Sequence, residues 1–342
     1  MDLSCRPWSL NSYVLSRVWF KCHTVDLRIA DISGITSKIK SWLFQDLLEK
    51  PQEFVLYRPI NMGGLGLQQV KYKALATLIK SFMETAANPA YRQNLLHSAL
   101  YRYYVLKDDS IDKVPPLPPY YSLNFFETIR QIKETTPLKV ETMSTAQWYR
   151  VLVEVNTTMV AVGDNKREYI KSRAELASPD TDWEASWSRA RLRGIGSEAS
   201  SFLWQTLHNL LPTEERLSRF LPNTSEQCKL CQPHVMADQV HCFFFCVSTK
   251  EVGNWILSII KSRDPTITPS KLLKLQFQCE DSEEMPLVWL TAQTLNYIWR
   301  IRASGKTVDL TLTRAVLESK ISLLRETRYQ NEQVLLSEYI NL

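Results

Sequence analysis

Apolar residues along the 342-residue chain recur with helical spacing almost throughout. Recurrence every three to four positions marks one buried helix face, whereas a half-buried strand alternates every second position. In residues 33–49, Ile35, Ile39, Trp42, Leu43 and Leu47 form such a stripe, and Lys38 and Lys40 fall on the opposite side. The same periodicity predicts helices at about 69–83, 90–104, 122–133 and 144–156. Ser144 is the expected N-cap of the last, with Trp148, Leu152 and Val155 on one face. Farther on, Trp183, Trp187 and Ala190 make a stripe and Ser197 opens a helix reaching Leu210. Pro212-Thr213 then ends that helix and caps another at 214–221. Helices at about 250–262, 286–302 and 309–329 complete the set. No strand pattern recurs at regular spacing, so the expected fold is mainly α.

Two breaks interrupt the helical reading. Gly63, Gly64 and Gly66 fall within four positions of a chain that has only 9 glycines, which calls for a tight turn or a close approach of backbone to a neighbouring helix. Pro115, Pro116, Pro118 and Pro119 forbid helix and favour an extended segment, read as a stiff linker, with a ligand for an SH3-type domain as the alternative. The expected layout is two helical modules joined by this Pro-rich linker. A helical segment spans 1–107, the linker 108–121, connecting helices and an extended segment 122–180, and a second helical module 181–342.

Composition narrows the class. A hydrophobic fraction of 44% fills a core, and no stretch reaches the roughly 18–20 apolar residues of a membrane helix. The N-terminus has neither the basic start nor the apolar run of a secretory signal, which points to an intracellular protein. The net charge of +5 lies wholly in residues 1–110, with 14 Lys/Arg against 9 Asp/Glu, while residues 111–342 hold 27 of each. A basic N-terminal part can attract phosphate backbones; it is equally consistent with solvated helix surfaces.

Of the 7 cysteines, four crowd between Cys228 and Cys246, which argues for a metal and not a disulfide framework. Cys228 and Cys231 have the two-residue spacing that lets both thiolates reach one ion from a tight turn. His241 and Cys246 are five positions apart, so a helix start there can present both. Two thiolates, an imidazole and a third thiolate complete a tetrahedron and leave no position for water, which predicts a structural Zn2+. A set using His234 or Cys242 in place of His241 or Cys246 is stereochemically open, as are buried thiols without a metal. Phe243, Phe244 and Phe245 read as the apolar face by which this knuckle docks.

These residues carry a resemblance. Ser201-Phe-Leu-Trp-Gln-Thr-Leu-His208-Asn-Leu-Leu-Pro212-Thr213-Glu-Glu-Arg216-Leu, then Cys228-x2-Cys231, Asp238 and His241-Cys-Phe-Phe-Phe-Cys246, resemble in order and spacing the zinc-binding region at the C-terminal end of non-LTR (LINE-type) retrotransposon reverse transcriptases. Leu10 through Trp19, Trp42-Leu-Phe44 and Pro59 through Leu67 look like the thumb segment after that polymerase's palm, and Ile298-Trp299-Arg300 with Arg325 through Tyr329 is similar to its ending. The likeness is weakest over 111–180. It implies a nucleic-acid-binding module whose ligands are the element's RNA and its target DNA, alongside the polymerase portion, with no membrane and no small-molecule substrate. It also sets what is missing in relief. The aromatic-x-Asp-Asp turn that holds catalytic magnesium in such polymerases is not in the sequence, and the lone Asp108-Asp109 follows Leu106-Lys107. No endonuclease-like acidic set follows the knuckle. The expectation is a chain without the enzyme.

Candidate phosphate contacts are Arg216, Arg219 and Lys229 at the knuckle, and Lys38, Lys40, Lys71 and Lys73 in the N-terminal part. The Gly63–Gly66 turn lacks the Gly-Lys-Ser/Thr ending of a P-loop and reads as packing. His208 has no acid or nucleophile near it in sequence, and Trp183 and Trp187 read as core. The rival to nucleic-acid binding is a zinc-stapled protein-interaction scaffold, a domesticated retroelement derivative, suggested by the balanced charge of 111–342.

Overall fold

A computed structural model describes residues 6–23, 27–45, 47, 51, 53–87, 95–111, 113–119, 121–136, 139–160, 178–231, 235–324 and 330–341. Among them the only pairing outside helices is an isolated antiparallel bridge, Gln227 with Met236. The fold is mainly α, as the periodicity implies. No helix among the described residues is long and apolar enough to cross a membrane. The chain divides into two compact units, one of Pro7–Gln45 and Leu67–Ile170, the other of Met1–Arg6, Asp46–Gly66 and Lys171–Leu342.

In the first unit a π turn Leu10–Val14 runs into α1 (Leu15–Lys21), followed by α2 (Ile29–Leu43), α3 (Val70–Ala87) and α4 (Leu95–Leu100), which continues as a π turn Tyr101–Val105. Then come α5 (Leu123–Thr135) and α6 (Thr145–Val160). The Ser122 hydroxyl accepts the Phe125 N–H to cap α5. Ser144 and Gln147 make a reciprocal box that starts α6, each side chain accepting the other's backbone N–H, at 3.3 and 2.8 Å. Each cap is worth about 1 kcal/mol. Phe125, Phe126, Ile129 and Ile132 give α5 its buried face. Phe82 sits at the centre of this core, its ring 5.4–5.5 Å edge-on from Tyr121, Phe125 and Phe126.

That core corrects the expected linker. Tyr101 from before the proline run and Tyr121 from after it belong to one cluster, Leu117 packs against the cluster, and Pro115 and Pro118 are buried. The run is a strap across one unit, because its apolar side chains have a surface of their own to cover. The amphipathic stripe at 33–49 also differs. The helix is Ile29–Leu43 and ends before Leu47, Ile39 and Leu43 are buried, and Trp42 lies on the exposed side.

The second unit holds α7 (Trp183–Arg189), α8 (Ser197–Leu207), α9 (Glu214–Leu217), α10 (Lys250–Lys261), α11 (Pro269–Leu273), α12 (Asp281–Ala303), α13 (Leu310–Leu324) and α14 (Gln330–Asn341). α12 is the axis, buried on most sides, with α8, α10, α13 and α14 against it. It starts five residues before the expected Pro286, with Asp281, Glu283 and Glu284 favouring its positive N-terminal end. α14 has no counterpart in the sequence reading.

The glycine turn belongs to this unit, which is why the expected boundary at 181 misses part of it. Gly63 (φ +81°) follows the short 3-10 turn Ile60–Met62. A Cβ on Gly63 would lie 2.4 Å from the Trp187 ring, and one on Gly64 1.8 Å from the Arg58 carbonyl. The Gly63 carbonyl accepts two donors from α8 and its end, Trp204 Nε1–H at 2.9 Å and His208 Nε2 at 2.8 Å. His208 therefore carries its proton on Nε2, with its ring centroid 4.6 Å from that of Trp187 and 4.4 Å from that of Trp204. The turn is a packing device, and Gly63 and Gly64 are buried against protein.

Candidate metal centre

Residues 226–228 and 235–237 pair antiparallel as the base of a short knuckle. The Cys228 N–H donates to the Val235 carbonyl at 2.8 Å and the Ala237 N–H to the Glu226 carbonyl at 2.9 Å, which presents Cys228 and Cys231 from one tight turn. The Asp238 carboxylate then caps the next turn by accepting the His241 N–H at 2.7 Å. That turn, His241–Phe245, is a π turn closed by the Cys246 N–H to the His241 carbonyl at 2.8 Å. The wider turn is what the spacing needs. On an α-helix, residues five apart point roughly 140° from each other. A ring closed from i to i+5 brings both onto one side.

The four side chains converge. The Sγ atoms of Cys228, Cys231 and Cys246 and the His241 imidazole all lie within 4.8 Å of one another. Cys246 Sγ is 3.7 Å from both Cys228 Sγ and Cys231 Sγ, and His241 Nε2 is 3.4 Å from Cys231 Sγ. Bonds of about 2.3 Å to sulfur and 2.0 Å to nitrogen give tetrahedral edges of about 3.8 and 3.5 Å, so the donors already stand close to a zinc tetrahedron. The set fits Zn2+ with four protein ligands and no open position.

Hydrogen-bond donors reach two of the sulfurs. The Val247 N–H donates to Cys231 Sγ at 3.4 Å and the Ser248 hydroxyl sits 3.2 Å from Cys246 Sγ. Burial works against ionising Cys246, but the bonds from Ser248, with those from Cys231 and Cys228, outweigh it and lower its pKa. Burial pushes the Cys231 thiol up to about 11, and burial with the nearby Arg302 lowers the His241 pKa, which keeps the imidazole neutral as a ligand must be. Arg302 reaches in from the end of α12. Its Nη2 donates to Glu214 Oε2 at 2.9 Å and to Cys228 Sγ at 3.6 Å. Neither Glu214 nor Arg302 is legible as part of the centre from local spacing, since they stand 14 and 74 residues from Cys228.

Of the alternative ligands, Cys242 is fully buried, its Sγ directed at the Ala237 carbonyl 3.8 Å away. Burial drives its thiol pKa up, as for an inert core cysteine. His234 lies outside the described residues. The aromatic run is split. Phe243 and Phe244 are buried, Phe243 lying 5.9 Å from Trp299, whereas Phe245 is 60% exposed and outside the core. Gly253 of α10 lets that helix touch the π turn, since a Cβ there would stand 2.1 Å from the Phe243 carbonyl.

The candidate phosphate contacts are scattered. Arg216 is only 7% exposed, Arg219 pairs with Glu215, and Lys229 is exposed on the knuckle. In the other unit Lys38 and Lys71 are exposed, while Lys40 and Lys73 are half-buried and burial lowers the pKa of Lys73.

Residues 169–253, about a quarter of the chain, match a family model described as zinc-binding in reverse transcriptase. The match spans all four converging ligands. No curated protein and no solved structure matches the chain.

Proposed function

We propose that this chain is a non-catalytic, nucleic-acid-binding portion of a LINE-type reverse transcriptase, in which one structural zinc fixes the knuckle and the helices around it. The observation that carries the reading is the coincidence of two features: a segment matching a reverse-transcriptase zinc-binding family, and within it four ligand atoms gathered at zinc spacing. The expected ligands are the element's RNA and its target DNA, with the polymerase portion of the element as a protein partner. Lys229, Lys38 and Lys71 are exposed and can reach phosphates in this reading, and exposed Arg219 can do so by exchanging Glu215 for a phosphate; Lys40 and Lys73 offer only part of their side chains, and buried Arg216 serves the fold.

The test is RNA binding by the zinc-loaded chain across a salt series. Neutralising several phosphates releases counterions, so affinity must fall steeply between about 50 and 200 mM salt. Affinity that ignores salt counts against the reading, and magnesium-dependent primer extension by the purified chain overturns its non-catalytic part. The second reading, a protein-interaction scaffold, is favoured by the equal numbers of acidic and basic residues in 111–342 and by exposed Phe245 and Val247 on either side of Cys246. It gains if Arg219→Ala with Lys229→Ala leaves RNA affinity unchanged.

A further inference from the structure

Residues 10–21 form one continuous helical stretch with two unlike sides. Leu10, Leu15 and Trp19 are buried. The outer side presents Tyr13 (65% exposed) and Phe20 (80% exposed), with Arg17 and Lys21 also exposed. These four stand at i, i+4, i+7 and i+8, so they form one stripe in which aromatic and basic groups alternate. The stripe borders a groove of about 530 Å³ between α1 and α2, lined by Arg17 and Lys21 on one wall and Lys38 on the other, with Val18, Ala30 and Ile35 between. Among the described lining residues three are cations and one, Asp31, is an anion, itself engaged by the Arg28 guanidinium at 2.9 and 3.2 Å.

Single exposed apolar residues need no explanation. Two aromatic rings two turns apart, with cations set between and behind them, are a different arrangement. A polyanion that also offers flat apolar faces satisfies both the basic and the aromatic groups of this stripe, which a purely apolar protein surface would not. Tyr13 and Phe20 are separated by seven residues, roughly 10 Å along the axis, the length of about three 3.4 Å nucleotide steps. Duplex bases are stacked on one another and cannot offer their faces, so the aromatic half of the stripe selects unpaired strands.

We infer that Tyr13, Arg17, Phe20, Lys21 and Lys38 form a platform for single-stranded nucleic acid, with bases stacked on the two rings and phosphates held by the three cations. The inference rests on the nucleic-acid reading above and adds to it the residues and the preference for unpaired strands. The experiment is fluorescence anisotropy of the full zinc-loaded chain with an end-labelled RNA of about 12 nucleotides, the same DNA strand, and each as a duplex. Single strands should bind more tightly than duplexes. Phe20→Leu, which keeps apolar bulk but loses the ring face, should weaken single-strand binding about fivefold or more, and Phe20→Tyr should restore it. Arg17→Gln with Lys21→Gln should weaken binding and reduce the salt slope by about 1.4. Lys306→Gln, exposed in the other unit, should leave binding unchanged. If the wild type binds RNA or DNA but Phe20→Leu and the paired charge variant bind equally well, or duplex is preferred to single strand, the platform is overturned while the broader reading stands. If the wild type binds no nucleic acid, both fall.

Discussion

Arg302 offers the sharpest energetic prediction. A zinc ion with three thiolates and a neutral imidazole carries a net charge of +2 − 3 = −1, and it would sit where Cys228 and Cys246 are buried. Glu214 adds a further negative charge, and Arg302, bonded to Glu214 and Cys228 Sγ, is the cation that answers both. The pair is out of water, with side chains 5% and 11% exposed, so solvent does not screen it. Arg302→Met keeps the stem and removes the guanidinium, leaving a buried carboxylate without a partner and a thiolate without a donor. Breaking one half of a buried pair costs about 3–5 kcal/mol. Arg302→Met with Glu214→Gln removes the orphaned charge and should lose only about 1–2 kcal/mol, less than Arg302→Met alone. Arg302→Lys should fall between, because a point ammonium cannot bridge two acceptors as a guanidinium does. Urea denaturation in saturating zinc reads the stabilities, and chelator competition should show zinc held at least about tenfold more weakly in Arg302→Met, equivalent to about 1.4 kcal/mol. A single variant within about 0.5 kcal/mol of wild type, with unchanged zinc affinity, would refute the reasoning.

Other expectations follow from close contacts and charge networks. Gly253→Ala should gain about 1 kcal/mol of helix propensity, yet its Cβ would meet the Phe243 carbonyl at 2.1 Å. The forced shift of the π turn should win, for a net loss of about 1–3 kcal/mol by thermal denaturation, and a neutral or stabilised variant would contradict the packing. Glu141 accepts from Lys133 at 2.7 Å and from the Tyr101 hydroxyl at 2.5 Å. Burial works against its charge, but these bonds outweigh it and lower its pKa to about 2 from 4.5, while burial and Glu141 raise Tyr101 to about 12. A carboxyl depressed in the fold stabilises above its unfolded pKa and loses that contribution as pH falls. The stability gap between wild type and Glu141→Gln, about 1 kcal/mol at neutral pH after allowing for partial exposure, should therefore close between about pH 4.5 and 2. A gap that persists at the acid end would show that the ion pair is not its source. Cys231→Ser should abolish zinc binding by elemental analysis, whereas Cys242→Ser should retain one zinc per chain; equal zinc loss in both would revive Cys242 as a ligand.

What the sequence made legible is what is local. The Cys-x2-Cys turn, the helix caps at Ser144 and Thr213, and the stripe of α5 depend on neighbours within a turn or two, and spacing exposes them. The Gly63-Gly64 requirement for a close approach was also readable, because glycine-poor chains spend glycines where a side chain cannot fit. Its partners were not, since Trp187, Trp204 and His208 come from more than 120 residues later. For the same reason the linear boundaries failed. Residues 46–66 fold with the C-terminal unit, and the proline run lies across a core built from both of its sides. The π turn at His241–Phe245 escaped because five-residue ligand spacing fits an α-helix poorly and only the closed i to i+5 bond resolves it. Arg302 and Phe245 show the remaining limit: an arginine looks solvated and a phenylalanine buried until the tertiary fold assigns the reverse.

The most direct measurement of the central claim is zinc K-edge X-ray absorption on the purified chain together with its metal content. Ligation by Cys228, Cys231, Cys246 and His241 predicts one zinc per chain, with three sulfur neighbours at about 2.3 Å and one nitrogen at about 2.0 Å. A chain without stoichiometric zinc, a shell with a water oxygen in place of a protein ligand, or one with two sulfurs and two nitrogens would contradict it.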